Sequence, residues 1–563
     1  MRTTLLACTA GLIALCSTAT AQTCTFDSGP DVIVGSLTGP SNYSASNGGT
    51  IEALSLGTTS CNLGTEVLDW IANNNQHPVI GGNLYRLRDN GGWWSMEHVG
   101  MSWLKHGFLA LQGGTCCSNC TPNPGGGDGL GIGCSDPYGS SLNGSQGGLG
   151  PRWQVDANRG SFTYPPANPS WSGSTARRLE VAVSELESTS STTTRFYGEG
   201  HYVTPDDAQA GNQDNNASYR RMTCTGSGSN WSFSFTGSTV RERPAIMAWL
   251  DSGLDPNVQM TDIEVPGEGG YLILGSSVTD LGGGQWHYEY ALYNMNSDES
   301  IRKFTIPVGG DVTTSNLGFH DVTYRNGDGS GNSNRDGTDW PTSLGGNELS
   351  WEVVGNFSPP SNINHNAIRW GSTYNFRLDA DTPPVISNLT LTTYKGLREI
   401  VVSGVPVPST AAFGSSFCDD SDGSLAACPC GNPGNPDSGC DNQQGTGGVS
   451  MEATAFSPNG SGGGTAEFTG TNYPSVGSPT FVLLRSTTQV PAVASFDGAN
   501  CLGNPVTRVG AGFAIGGTGV RFYTHGAMAQ PGTNFYQMWY RNLPAMFCTP
   551  DAANFSNGYD LTW

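Results

Sequence analysis

The chain has almost no lysine, few positive charges of any kind and no long apolar run beyond its first residues. Only three of its 25 basic residues are lysines (Lys105, Lys303, Lys395), against 47 acidic ones, for a formal net charge of −22. So acidic a surface repels phosphate backbones, which argues against nucleic acid as a partner. After residue 21 no apolar segment is long enough to cross a bilayer as a helix. Cysteine is missing between 225 and 417. No Gly-x-Ser-x-Gly elbow, His-Glu-x-x-His pair or phosphate-cradling glycine loop fits, which argues against α/β serine hydrolases, zincins and nucleotide enzymes.

What is present begins with an export signal. Met1-Arg2 is followed by apolar Leu5 to Leu15 and by Ala19-Thr20-Ala21. Residues 1–21 therefore read as a secretory signal peptide, and the exported remainder is free to form disulfides. The 80 glycines and 33 prolines are interleaved with aromatics and lack a collagen period. That mixture predicts a mainly β, multidomain protein, and 563 residues suffice for about three or four domains.

Residues 22–240 read as an irregular β-rich unit with a Cys-rich loop. Asp31–Gly35 is strand-like, and Thr65–Ala72 has apolar spacing near that of a short helix. Residues 241–407 read as a cysteine-free β-sandwich. Its strand-like runs include Tyr271–Leu274, Trp286–Tyr293, Lys303–Val308, Tyr374–Leu378 and Ile386–Thr392. Residues 408–416 read as a linker, and 417–563 as a disulfide-rich β-sandwich module with strands at Phe481–Arg485, Gly519–Tyr523 and Phe535–Tyr540.

The cysteines after the signal fall in two groups. Cys418, Cys428, Cys430, Cys440, Cys501 and Cys548 predict three disulfides of undetermined pairing. The first half holds Cys24, Cys61, Cys116, Cys117, Cys120, Cys134 and Cys224, an odd number, and Cys24 is the candidate free thiol. Cys117-Ser-Asn-Cys120 has a zinc-like spacing, but export favours structural disulfides.

Candidate chemistry is sparse. His77, His106 and His320 would be ligands or acid–base groups if the fold gathered them; otherwise the histidines are hydrogen-bonded parts of the packing, with His287 the clearest case. Two loops suit calcium, 204–216 with Asp206, Asp207 and Asp214, and 326–339 with Asp328, Asp336 and Asp339. Asx-rich turns without an ion are the alternative. Glu97, Glu199, Asp206, Asp207, Glu289 and Asp321 are first candidates for a glycosidase carboxylate pair, surface or turn positions being the plainer assignment. Trp93, Trp94, Trp103, Trp153 and Trp171 would make a sugar-stacking platform unless they fill the core.

Several segments resemble a known group. Phe417-Cys-Asp-Asp-Ser-Asp-Gly through Cys428-Pro-Cys430, Gly439-Cys440, Tyr536–Arg541 and the closing Leu-Thr-Trp are similar to a recurrent Cys-rich C-terminal module. That module belongs to uncharacterised large exported multidomain proteins of planctomycetes and related environmental bacteria. Trp286–Asp298, Gly318–Asp321, Gly337–Trp340, Arg369–Phe376, Gln76–Ile80 and Ser102–Gly107 resemble segments of the same proteins. The resemblance implies export and this domain layout, and it brings no catalytic residue. Two functional classes remain. The favoured one is a secreted or cell-surface structural or binding protein, adhesive or glycan-binding, stabilised by disulfides and calcium. The alternative is a secreted enzyme on an extracellular polymer, a glycosidase or metal-dependent oxidase with its site in residues 70–220.

Overall fold

A computed structural model describes residues 24–563 except 108, 188–192, 310–311, 346, 356, 358–362, 409–413, 420–422, 424–425, 427, 459–463, 476–478, 527–531 and 543–551. The signal, most of the linker and Cys548 lie outside the described residues. The protein is mainly β, with many separate sheets.

The first unit is built on an 11-stranded sheet that runs from Val32–Ser46 to Asn230–Phe235, and these two ends touch, so the sheet nearly closes. Alternation along each strand gives it two faces. In strand Val79–Asp89, Leu84 points to a core with Leu54, Val99, Leu179 and Phe196, whereas Tyr85 and Leu87 point to a second core shared with the next unit. Gly35 is required here, because a Cβ would meet the Cys61 sulfur at 1.9 Å. Thr65–Ala72 is not helical. Leu68–Asp69 pairs with Gly129–Leu130, and Trp70 is buried among Val32, Leu130 and Tyr202. Eight residues make too few i→i+4 bonds to repay helix nucleation, and burying Trp70 decides the outcome.

The second unit is a two-sheet sandwich with orders Gln259–Val265, Gly270–Gly282, Gln285–Asn294, Ser372–Ala380, Thr314–His320 and Thr342–Gly345, Glu348–Glu352, Ile301–Pro307, Val385–Thr393, Glu399–Val407. In Gln285–Asn294, Tyr288, Tyr290 and Leu292 fill the sandwich core, while Ala291 and Tyr293 face the first unit. One sheet of the sandwich is thus buried on both faces. The third unit pairs a five-stranded with a three-stranded sheet over a core of Phe468, Phe481, Tyr536, Met538 and Trp563.

The disulfides are Cys24–Cys117, Cys61–Cys116, Cys120–Cys134, Cys418–Cys501 and Cys428–Cys440, and Cys430 is also bonded. This corrects two expectations: Cys24 is crosslinked, and Cys224 is the free thiol. Cys224 sits on the strand Ala217–Ser227, packed against the core of Met222, Trp231 and Phe233, and burial pushes its thiol far up.

Candidate functional site

Three carboxylates assigned to the surface are buried at the joint between the first two units. Glu97, Glu199 and Glu289 are all at most 1% exposed. Glu97 accepts from Arg86 at 2.6 Å and pairs with Arg88 and Arg377, each at 3.2 Å; Arg377 also reaches Glu289 at 3.0 Å. Burial opposes ionisation of Glu97, but His320, Arg86, Arg377 and Arg88 outweigh it and hold the carboxyl below its ordinary range. His287 Nδ1 donates to the Asp379 carboxylate at 2.6 Å, and its ring stacks on Trp93 at 3.8 Å. Trp94 packs against the core shared by the two units. These two tryptophans therefore belong to the joint.

The histidines divide. His77 Nε2 and His106 Nδ1 are 2.9 Å apart, packed against Phe162 and Tyr164. Burial pushes them down to about 4 and about 3, so both are neutral at pH 7. His320 lies instead beside Glu185, at 3.8 Å, and is not part of that pair. Among the described residues no three His, Cys, Asp or Glu side chains come together as a metal set.

The two acidic loops have other work. Residues Pro205–Ala210 form a short helix. Asp206 accepts the Asp69 N–H, Asp207 accepts the Val32 N–H and the Asn216 amide, and Asp214 accepts from Asn296. In the second loop Asp336 closes an Asx turn onto Thr338, and Asp328 accepts from the Trp103 indole and the Arg325 N–H, both at 2.5 Å. Asp339 lies near Asp321, whose carboxyl is pushed up to about 6 by burial and further by the Asp339 charge. Asp31, beside this region and completely buried, is pushed up to about 7 by burial, which Asn215 partly offsets and Asp27 and Glu242 reinforce.

A cleft of about 1170 Å³ opens at the same joint. One wall comes from the first unit: Trp103 after its strand, Arg152 and Trp153, the segment from Pro169 to Arg178, and Glu180. The other comes from sandwich loops: Tyr324 to Arg335, Arg369 and Trp370, and Tyr394-Lys395, with Asp298. Trp103, Trp153 and Trp171 of the expected platform do meet here. Trp103 is a buried support, 7% exposed, whereas Trp171 is 44% exposed at the rim.

The composition of this cleft inverts that of the protein. Seven of the 25 basic residues line it, against three carboxylates. Five arginines lie over aromatic rings: Arg152 on Trp370 at 5.4 Å, Arg177 on Trp103 at 4.6 Å and Trp171 at 5.7 Å, Arg178 on Tyr43 at 3.3 Å, Arg335 on Tyr324 at 5.4 Å, and Arg369 on Tyr394 at 4.4 Å. The carboxylates are already engaged. Asp328 is bonded as above, Asp298 holds Lys395 at 2.6 Å, and Glu180 is 3.6 Å from Arg325. Burial, then the charge of Arg369, pushes Arg335 down to about 10. Nothing in a single sequence marks these arginines, because Arg152 and Arg177 lie 158 or more residues before Arg335 and Arg369.

No protein-family model matches the chain, and no curated protein matches it. Among solved structures, Escherichia coli alpha-2-macroglobulin activated by porcine elastase aligns over 95% of this chain and 35% of its own, at 7% identity and a TM-score of 0.13. The trypsin-activated alpha-2-macroglobulin from Escherichia coli aligns over 95% and 42%, at 8% identity and a TM-score of 0.13. The chain spans less than half the length of those proteins. The disulfides fit an extracellular protein, and no helix among the described residues is long and apolar enough to cross a membrane.

Proposed function

We propose that this is an exported glycan-binding protein whose ligand lies in the cleft between the first unit and the sandwich. The carrying observation is the cleft itself: aromatic faces and hydrogen-bond donors converge in a volume of about 1170 Å³, held by a buried joint. Ligand sites favour such unit boundaries, and aromatic faces pack against the apolar faces of sugar rings. The export signal and the likeness to exported proteins of environmental bacteria support the location. Trp171→Ala tests the reading, since this exposed side chain can be removed at little cost to folding. Glycan affinity, measured by calorimetry, should fall about tenfold, the equivalent of about 1.4 kcal/mol.

A glycan-cleaving enzyme is the second reading. It rests on Glu180 and Asp328, which line the cleft and are both pushed upward by burial. Release of new reducing ends from a bound glycan, abolished in Glu180→Gln, would favour it. A bound glycan that stays intact favours the binding protein.

A further inference from the structure

The carboxylates of the cleft are engaged, yet Arg177, Arg335 and Arg369 have no carboxylate within ion-pair distance among the described residues. Arg335 makes no hydrogen bond or ion pair with any described residue, and its Nη1 is buried without a partner. Arg369 donates only to the carbonyls of Ile363 and His365. Arg177 donates to the Gln146 and Pro169 carbonyls and to the Asn168 amide oxygen. Each of the three lies over an aromatic ring, which holds the guanidinium without neutralising it, and Asp328 offsets the Arg335 charge only from beyond ion-pair distance. A planar guanidinium held in this way matches a carboxylate or sulfate edge, because its N–H groups diverge in the same plane. In a chain of net charge −22, such a group of cations without a carboxylate at ion-pair distance is not a product of average composition.

We infer that the cleft selects an acidic glycan, one bearing carboxylate or sulfate groups, and that Arg335 and Arg369 read its charge. This rests on the glycan-binding reading of the same cleft. The ligand's anions take the place of the missing acidic partners, and its sugar rings lie along the aromatic walls. The protein's overall negative charge repels acidic polymers everywhere else, so binding is confined to the cleft.

The test is calorimetric titration of the full protein with three probes of matched length: an oligogalacturonate, a sulfated dextran oligosaccharide and neutral dextran oligosaccharide. Either acidic probe should bind at least about tenfold more tightly than the neutral one, and its affinity should fall as sodium chloride rises. Arg335→Gln and Arg369→Gln should each cost about tenfold for the acidic probe only. Arg508→Gln, on the third unit, should cost nothing. Salt dependence is read on the unmodified protein, so it stands even if Arg335→Gln folds poorly. Equal affinity for neutral and acidic probes overturns the inference and leaves glycan binding intact. No binding to any probe overturns both. Tight acidic binding that survives both substitutions, or that a single-stranded DNA oligonucleotide equals, overturns the inference as well.

Discussion

The first two units and the third are held together by different means. The N-terminal sheet and the sandwich share an apolar core around Tyr85, Trp249, Ile273 and Tyr293, and bury the Glu97–Arg377–Glu289 network between them. The third unit meets the sandwich through Ser450–Pro458 against Val385–Thr393 and Glu399–Val407, and is stapled internally by Cys418–Cys501 and Cys428–Cys440. A cleft between two units keeps its shape only if they cannot turn against each other. A buried, directional network supplies that orientation, whereas crosslinks within one unit supply only local stability.

The comparison breaks most sharply at Glu97. Glu97→Gln takes the ion-pair partner from Arg88 and leaves Arg86 and Arg377 with Glu185 and Glu289 alone, which should cost about 3 kcal/mol. Denaturant unfolding should show the loss in the transition of the first two units, together with lost glycan affinity. The complementary change is Cys418→Ser with Cys501→Ser. It should destabilise the third unit by about 2–4 kcal/mol and leave cleft affinity unchanged. If both changes abolish binding equally, the division between the units is wrong.

Much of the fold can be read from the sequence, because alternation reports strands directly: Trp286–Tyr293 and Phe535–Tyr540 are strands as expected. The trade between Cys24 and Cys224 cannot be, since pairing depends on where the loop 116–134 folds back. Nor can the buried positions of Glu97 and Glu289, which alternate on strands that look half-exposed until a second sheet covers them. The tryptophans were readable as candidates. Which of them reach the cleft was not, because Trp93 and Trp103 differ only in what the sandwich places against them.

pH separates the two regions further. Asp31 has a folded value of about 7, against 3.8 for the free group. The folded state therefore favours its protonated form, and stability is lost as pH rises through that window. Asp31→Asn should be more stable than the parent at pH 8, by a few kcal/mol at most, and show no gain at pH 4. Melting at the two pH values checks this, and the gain should appear in the transition of the first two units and not in that of the third. The smallest effect is at Cys224. Its buried thiol should resist alkylation in the native protein, as read by mass spectrometry of its peptide, and Cys224→Ala should change stability by less than about 1 kcal/mol.

The most direct measurement is a crystal structure of the full chain with the oligogalacturonate. The account expects the sugar to lie between Trp171 and Arg335, with its carboxylates on Arg335 and Arg369 and the Glu97 network unchanged. Sugar bound on the third unit, with the cleft holding only water, would contradict it.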